Sequence, residues 1–270
     1  MKHDVNTFLD KNVKFSENNL RFLTLSDMAF CETNVMTGLL PLVTGLRKCY
    51  SITHIKKGGA DMHIPSGASQ TVEILDFETA LALSGRGDAY DRERWLYVPD
   101  FYTEYRYILG TRGENPLICI GVNPSTAEPD HLDNTLKSVQ RIAAGNGFDS
   151  FIMFNVYAQR ATRPDDMDRT MNAELHTANM AAFRYILSHV GEGVRPAVWA
   201  AWGAVIEKRP YLPACVRDMV AVGMDYGARW LRAGKCSVKG HPHHPLYLRK
   251  DEPVCDFDVL AYLDSLKIGG

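Results

Sequence analysis

The pattern of apolar and polar positions changes near residue 104. Beyond it, short unbroken apolar runs alternate with stretches in which apolar residues recur every three to four positions. The first kind of segment predicts a strand buried on both faces, the second a helix with one buried face. "LICIGV" (117–122) is such a strand run and stops at Asn123-Pro124, where proline ends a ladder. The spacing then predicts a helix capped by Asp133 or Asn134, with Leu136, Val139, Ile142 and Ala143 inward and Gly145 and Gly147 closing it. "SFIMFNVYA" (150–158) is a second strand run, and "NAELHTANMAAFRYILSHVG" (172–191) a long helix with a glycine stop. "PAVWAAWG" (196–203) is the third strand, followed by helix around Pro210 and Pro213 over 204–222. "ARWLRAG" (228–234) is the fourth. A last helix is expected over 256–267, with Phe257, Leu260, Leu263 and Leu266 inward.

Strand and helix alternating in this way predict a three-layer α/β/α domain over 105–270, built on a central four-stranded parallel sheet. Right-handed crossovers then bring the C-terminal ends of all four strands to one edge, which is where open α/β sheets bind ligands. Residues 1–104 lack the alternation. "MTGLLPLVTGLRKCYSIT" and "VEILDFETALALSG" can contribute to a core, and 56–70 is a turn-rich connection, so an N-terminal accessory region packing on the α/β domain is expected.

Composition narrows the classes. A chain of 270 residues with 46% hydrophobic and 23% charged residues has ample material for a buried core. No run approaches the roughly 20 apolar residues that span a bilayer, and the N-terminal stretch is too polar for a secretory signal, so a cytoplasmic protein with no membrane partner is expected. Six scattered cysteines without a CxxC pair predict reduced thiols and no zinc-finger site. The net charge of −2 argues against an unspecific grip on nucleic acid. A local basic run is present all the same, because Arg232, Lys235, Lys239, Arg249 and Lys250 precede Asp251 without an intervening carboxylate. A monomer is the default expectation.

The predicted edge collects chemistry. Asn123, Pro124, Ser125 and Thr126 follow the first strand; Asn155, Tyr157, Gln159 and Arg160 follow the second; Trp202-Gly203 ends the third; the loop "KGHPHHPLYLRK" (239–250) follows the fourth. Its three histidines, His241, His243 and His244, admit three readings: a metal site, a catalytic loop or a polar surface turn. His241 and His244 at i, i+3 could share an ion, but the sequence offers no evident third ligand beyond Cys236, so no metal or other cofactor is expected.

At these positions the sequence resembles the uracil-DNA glycosylase superfamily. "IGVNPS" is similar to its first motif, "FIMFNVYAQRAT" to the strand ending in a base-reading asparagine, "VWAAWGAVIEKR" to its third-strand Trp-Gly segment, and "GHPHHPLYL" to its "HPSPL" loop. The chain is still more similar to a bacterial and phage family (domain of unknown function 1643) with "NPSTAD", "NLFAYRAT" and "HPLYL" signatures. That wider group includes anti-phage glycosylases acting on modified bases. The resemblance covers about residues 104–250. It implies a uracil-DNA-glycosylase-like fold and a monofunctional DNA glycosylase whose partner is double-stranded DNA carrying modified bases.

Hydrolysis of an N-glycosidic bond needs water placed beneath the sugar carbon and donors aimed at the base as charge develops on it. The resemblance implies Asn123 for water positioning, and His244 or its rival His241 as donor to the leaving base. It also implies substrate contacts from Pro124, Ser125, Asn155, Tyr157 and Trp202, with Asn155 reading the base through an amide that both donates and accepts. Leu246 stands where the superfamily presents a wedge that fills the space of a flipped base. Tyr247, Arg249, Lys239 and Arg160 would touch the DNA. If a carboxylate base is needed, Glu128, Asp130 and Asp133 are candidates, Asp133 doubling as a helix cap. "STAEPDHLDN" lacks the aromatic wall of a tight uracil pocket, which points to a bulkier pyrimidine such as hydroxymethylated or glucosylated cytosine. Two other readings stay open: hydrolysis of a modified nucleotide or nucleoside, and a modified-DNA binder without turnover.

Overall fold

The computed structural model describes residues 74–86 and 88–266. Expectations for 1–73, including the core-forming stretch, the turn-rich connection, Cys31 and Cys49, lie outside the described residues. The other four cysteines, Cys119, Cys215, Cys236 and Cys255, are free thiols.

Seven strands form one sheet: β1 (Trp95–Val98), β2 (Ile108–Thr111), β3 (Pro116–Gly121), β4 (Ser150–Asn155), β5 (Ala197–Ala200), β6 (Arg229–Ala233) and β7 (Val254–Asp256). Their order is β1-β2-β4-β3-β5-β6-β7. The central four, β4-β3-β5-β6, are parallel and correspond to the four apolar runs. The all-parallel four-stranded sheet expected from the sequence is thus corrected to a mixed one, because β2 adds antiparallel to β4, β1 to β2, and β7 to β6. β1 precedes residue 105 and pairs with β2 from Trp95↔Thr111 to Val98↔Ile108. Antiparallel strands need no crossover helix, so short segments suffice to extend the edges.

Helices cover both faces. Alternate residues of β3 divide between two cores, as the period of a strand requires. Ile118 and Ile120 pack with Phe77 of α1 (Phe77–Leu83), Leu175 and Phe183 of α3 (Ala173–Ser188), Val216 of α4 (Leu212–Asp225) and Tyr262 of α5 (Val259–Ser265). Leu117 and Cys119 face the other way, onto Leu136, Val139 and Ile142 of α2 (Asn134–Gly145). Each such fully buried aliphatic side chain contributes about 1.5–3 kcal/mol.

Local chemistry sets the helix ends. Asp133 caps α2, its Oδ1 accepting from Leu136 N–H at 2.9 Å. Asn172 caps α3 by accepting from the N–H groups of Glu174 and Leu175. The helical stretch around Pro210 and Pro213 divides into a 3-10 turn (Gly203–Glu207) and α4, with Pro213 in its first turn, where a missing N–H costs nothing. The final helix starts later than the apolar pattern implied. Asp258 caps it, so Val259, Tyr262, Leu263 and Leu266 turn inward, and Leu260, expected inside, is 51% exposed.

After β3 the chain crosses to β4 on one side and later to β5 on the other. The loops leaving β3 and β5 therefore diverge, which opens a crevice at the C-terminal ends of these strands.

Candidate functional site

The crevice has a volume of about 700 Å³. Its floor is the end of β3 and β4 (Gly121, Met153, Asn155), one wall the loop and first turn leading into α2, the opposite wall Gly203–Val205 with the histidine loop. Four elements distant in sequence meet there.

Asn155 ends β4 and has no solvent exposure, yet among the described residues neither its Nδ2 nor its Oδ1 has a hydrogen-bond partner. Leaving a buried polar atom unpaired costs about 1–3 kcal/mol. Its backbone is well held, since Asn179 of α3 donates to the carbonyls of Asn155 at 3.0 Å and Val156 at 3.3 Å. Gly121 makes the room: a Cβ there would lie 2.6 Å from Met153 Cε and 3.1 Å from Asn155 Oδ1. The backbone is thus held while both functional ends of the buried side chain lack a partner among the described residues.

Asn123 follows β3. Its Nδ2 donates to Ala161 O at 2.7 Å and Pro124 O at 3.1 Å, which orients the amide and leaves Oδ1 without a protein partner among the described residues. An oxygen held in this way can accept from a water. Pro124 is buried, its carbonyl also accepting from Ala161 N–H, and acts as a fixed point of the loop. Ser125 lines the crevice, its Oγ donating to Asp133 Oδ2 at 2.7 Å. Both oxygens of Asp133 are therefore engaged, one capping α2 and one holding Ser125. Of the three carboxylates considered from the sequence, Asp133 alone lines the crevice; Asp130 accepts from Trp95 Nε1 at 3.2 Å, and Glu128 lies in a separate shallow depression beside Tyr102.

The two candidate histidines differ sharply. His241 is 3% exposed and sits in a line of hydrogen bonds. The Trp202 indole can only donate, and it does so to Tyr262 Oη at 2.9 Å. Tyr262 O–H then donates to His241 Nδ1 at 3.0 Å, and His241 Nε2–H donates to Glu207 Oε1 at 3.1 Å. Glu207 is held in turn by Lys239 at 2.6 Å, and these two partners keep its carboxyl below the usual carboxylate range. His244 is half-buried, and burial lowers its pKa against an opposing pull from Asp133. Its Nδ1 accepts from Leu246 N–H at a long 3.4 Å, so the proton of the neutral ring sits on Nε2, which makes no protein hydrogen bond among the described residues. Gly203, at φ +60°, brings the chain after β5 close to the start of this side chain, where a Cβ would stand 3.6 Å from His244 Cβ.

Several residues placed at the site by the sequence do not reach it. Trp202 is fully buried against Trp230 and Tyr262, so it supports the His241 line rather than forming a crevice wall. Tyr157 is also fully buried, and its oxygen accepts from Asn172 N–H at the start of α3. Arg160 is 7% exposed and ties the Ser125 carbonyl to Tyr97 Oη, behind the loop rather than on a surface. Lys239 and Arg249 are exposed but paired, with Glu207 and Glu252 respectively. Leu246 and Tyr247 do reach the rim: both line the crevice and are 45% and 77% exposed, on a 3-10 turn (Pro245–Tyr247) started by His244. Among the described residues no three His, Cys, Asp or Glu side chains are grouped to hold a metal ion.

One residue at the site was not anticipated. Arg106, just before β2, is 1% exposed and lines the crevice, with Nη1 donating to Ala127 O at 2.8 Å and Nε unpartnered. Its only signal in the sequence is a lone charge inside the otherwise apolar run "YRYIL".

The fold is that of a mixed α/β protein with a crevice at the point where the strand order of its parallel core reverses. Residues 106–246 match the family described as protein of unknown function (DUF1643), and the chain belongs to that family. The match begins at Arg106 and ends at Leu246, so it takes in every residue that builds the crevice except Tyr247. No curated protein and no solved structure matches the chain. No helix among the described residues is long and apolar enough to cross a membrane.

Proposed function

We propose that the protein is a monofunctional DNA glycosylase, hydrolysing the N-glycosidic bond of a modified pyrimidine flipped out of duplex DNA. The observation that carries this reading is Asn155: a fully buried amide whose donor and acceptor both lack a partner among the described residues, at the bottom of a crevice. Such a group is suited to a ligand that presents an acceptor and a donor side by side, as the edge of a pyrimidine does. Asn123 Oδ1 accepts from the attacking water, which is oriented rather than deprotonated by it, and His244 Nε2–H donates to the base as it leaves. Leu246, exposed at the rim, fills the gap in the duplex, and Tyr247 lies against the strand. No lysine lines the crevice among the described residues, and the lining favours water over an amine as nucleophile. The resemblance of the four strand-end motifs to the uracil-DNA glycosylase superfamily supports the same assignment, and a volume of about 700 Å³ suits a base larger than uracil. A hydroxymethylated or glucosylated cytosine of phage DNA fits that size, and its excision would serve defence against phage.

The experiment is incubation of the full chain with duplexes that each carry one defined modified pyrimidine, followed by alkaline cleavage to reveal abasic sites. Abasic sites in at least one modified duplex are expected. Their absence from every duplex, with a folded protein, contradicts the proposal. Release of base from free nucleosides but not from duplexes would reassign the crevice to nucleoside hydrolysis.

A further inference from the structure

We propose that Arg106 is an anion-stabilising residue of the crevice, its guanidinium facing the negative charge that gathers on the departing base. This deepens the base-excision reading and rests on it.

A structural arginine buried this completely is ordinarily paired with a carboxylate, because an unpaired buried charge is expensive. Arg106 has no ion pair among the described residues; it holds one backbone carbonyl, that of Ala127, and its Nε has no partner. The neighbouring buried cation does not relieve it. Arg160 has only neutral partners, the Ser125 carbonyl and the Tyr97 hydroxyl. Asp133 is the one carboxylate that acts on Arg106, and both its oxygens already accept hydrogen bonds from Ser125 and Leu136. Burial, reinforced by Arg160, pulls the Arg106 pKa down to about 9 against an opposing pull from Asp133, which leaves the group charged at neutral pH with no ion pair among the described residues. A wall of this kind is completed by an anion, and Asn155 lines the same crevice.

Base excision creates such an anion in place. The bond between C1′ and N1 breaks with its electron pair going to the base, where the charge spreads onto O2. The water oxygen bonds to C1′, one of its hydrogens stays as the sugar hydroxyl, and the other ends on the base. Cytosine-type bases carry this charge less readily than uracil, since an amino group replaces a carbonyl. A fixed cation aimed at the developing charge is therefore of most use for the poorest leaving groups.

Two measurements on wild type, Arg106→Gln and Arg106→Lys test this. The first is equilibrium binding of a free nitro-substituted pyrimidine that ionises near neutral pH. Wild type should bind the anion about tenfold more tightly than the neutral base, Arg106→Gln should show no preference, and Arg106→Lys should retain part of it. The second is single-turnover excision across duplexes whose bases differ in N1 acidity. Arg106→Gln should lose about 10²–10³-fold on the least acidic base and far less on the most acidic, with duplex affinity nearly unchanged. An equal loss on every base, or no anion preference in wild type, overturns the inference while leaving base excision standing. Failure of wild type to release base from any duplex overturns the reading beneath it as well.

Discussion

Behind the histidine loop, Trp202, Tyr262, His241, Glu207 and Lys239 form a line in which each donor meets an acceptor, from the core to the surface. On the crevice floor Asn155 leaves both amide atoms unmet and Arg106 leaves its Nε unmet. Both clusters contain buried polar side chains, and both are built from residue types that a sequence reader would call catalytic. The difference is satisfaction. A fully bonded line fixes the position of a loop and contributes to stability, whereas an unsatisfied floor lowers stability and persists where a ligand completes it. The contrast also separates the two histidines: His241 has both ring nitrogens engaged, and His244 keeps Nε2 available at the crevice.

The sharpest way to break the comparison is to remove polarity from the floor. Asn155→Leu should lower base excision by about 10²–10³-fold, while stability in denaturant holds or rises by about 1 kcal/mol as the unpaired atoms disappear. A variant that excises normally, or that unfolds more readily, would place Asn155 among the structural residues. The converse change is in the line. Tyr262→Phe leaves the Trp202 indole and His241 Nδ1 without their shared partner and should cost about 1–3 kcal/mol of stability. Excision by the folded fraction should change much less than for Asn155→Leu, as single-turnover rates will show.

The rim gives a smaller effect. Leu246→Ala should slow excision from a paired duplex by about tenfold, and less from a mismatched target whose base leaves the stack more easily. Equal slowing on both would remove the wedge role. The smallest effect concerns pH. Because burial lowers the His244 pKa, the unfolded chain takes up a proton that the fold resists. Stability contributed here is thus present above the ordinary imidazole value of 6.5 and falls as pH drops through it, levelling off below the depressed one. Between about pH 7.5 and about pH 5, wild type should lose more Tm than His244→Gln. The opposite order would mean that His244 gains rather than resists its proton in the fold.

Much of the fold was legible in the sequence because the parallel strands are largely apolar. β3 and β4 are buried at every position, and the α2 face of Leu136, Val139 and Ile142 follows the helical period. The antiparallel additions were not legible. β7 is three residues, Val254–Asp256, two of them exposed, and β1 and β2 have four residues each, so no periodicity can develop. The placement of Leu260 failed by one residue because the Asp258 cap, not the apolar pattern, starts α5. At the site, Asn123, Asn155 and His244 were legible from their places after successive strands. Trp202 and Tyr157 were read as substrate contacts because strand-end position does not reveal which way a large ring packs. Arg106 was missed for a related reason: burial of a lone charge depends on the loop that folds over it, here through Ala127, and the local pattern carries no trace of that contact.

The most direct test of the account is mass spectrometry of what leaves the DNA. Duplexes carrying modified cytosines should yield free modified base and abasic sites in equal amounts with wild type, and neither product with folded Asn155→Leu. A wild-type protein that binds these duplexes and releases no base, or an Asn155→Leu variant that releases it as fast, would contradict the claim that the unsatisfied floor of the crevice exists to hold a departing base.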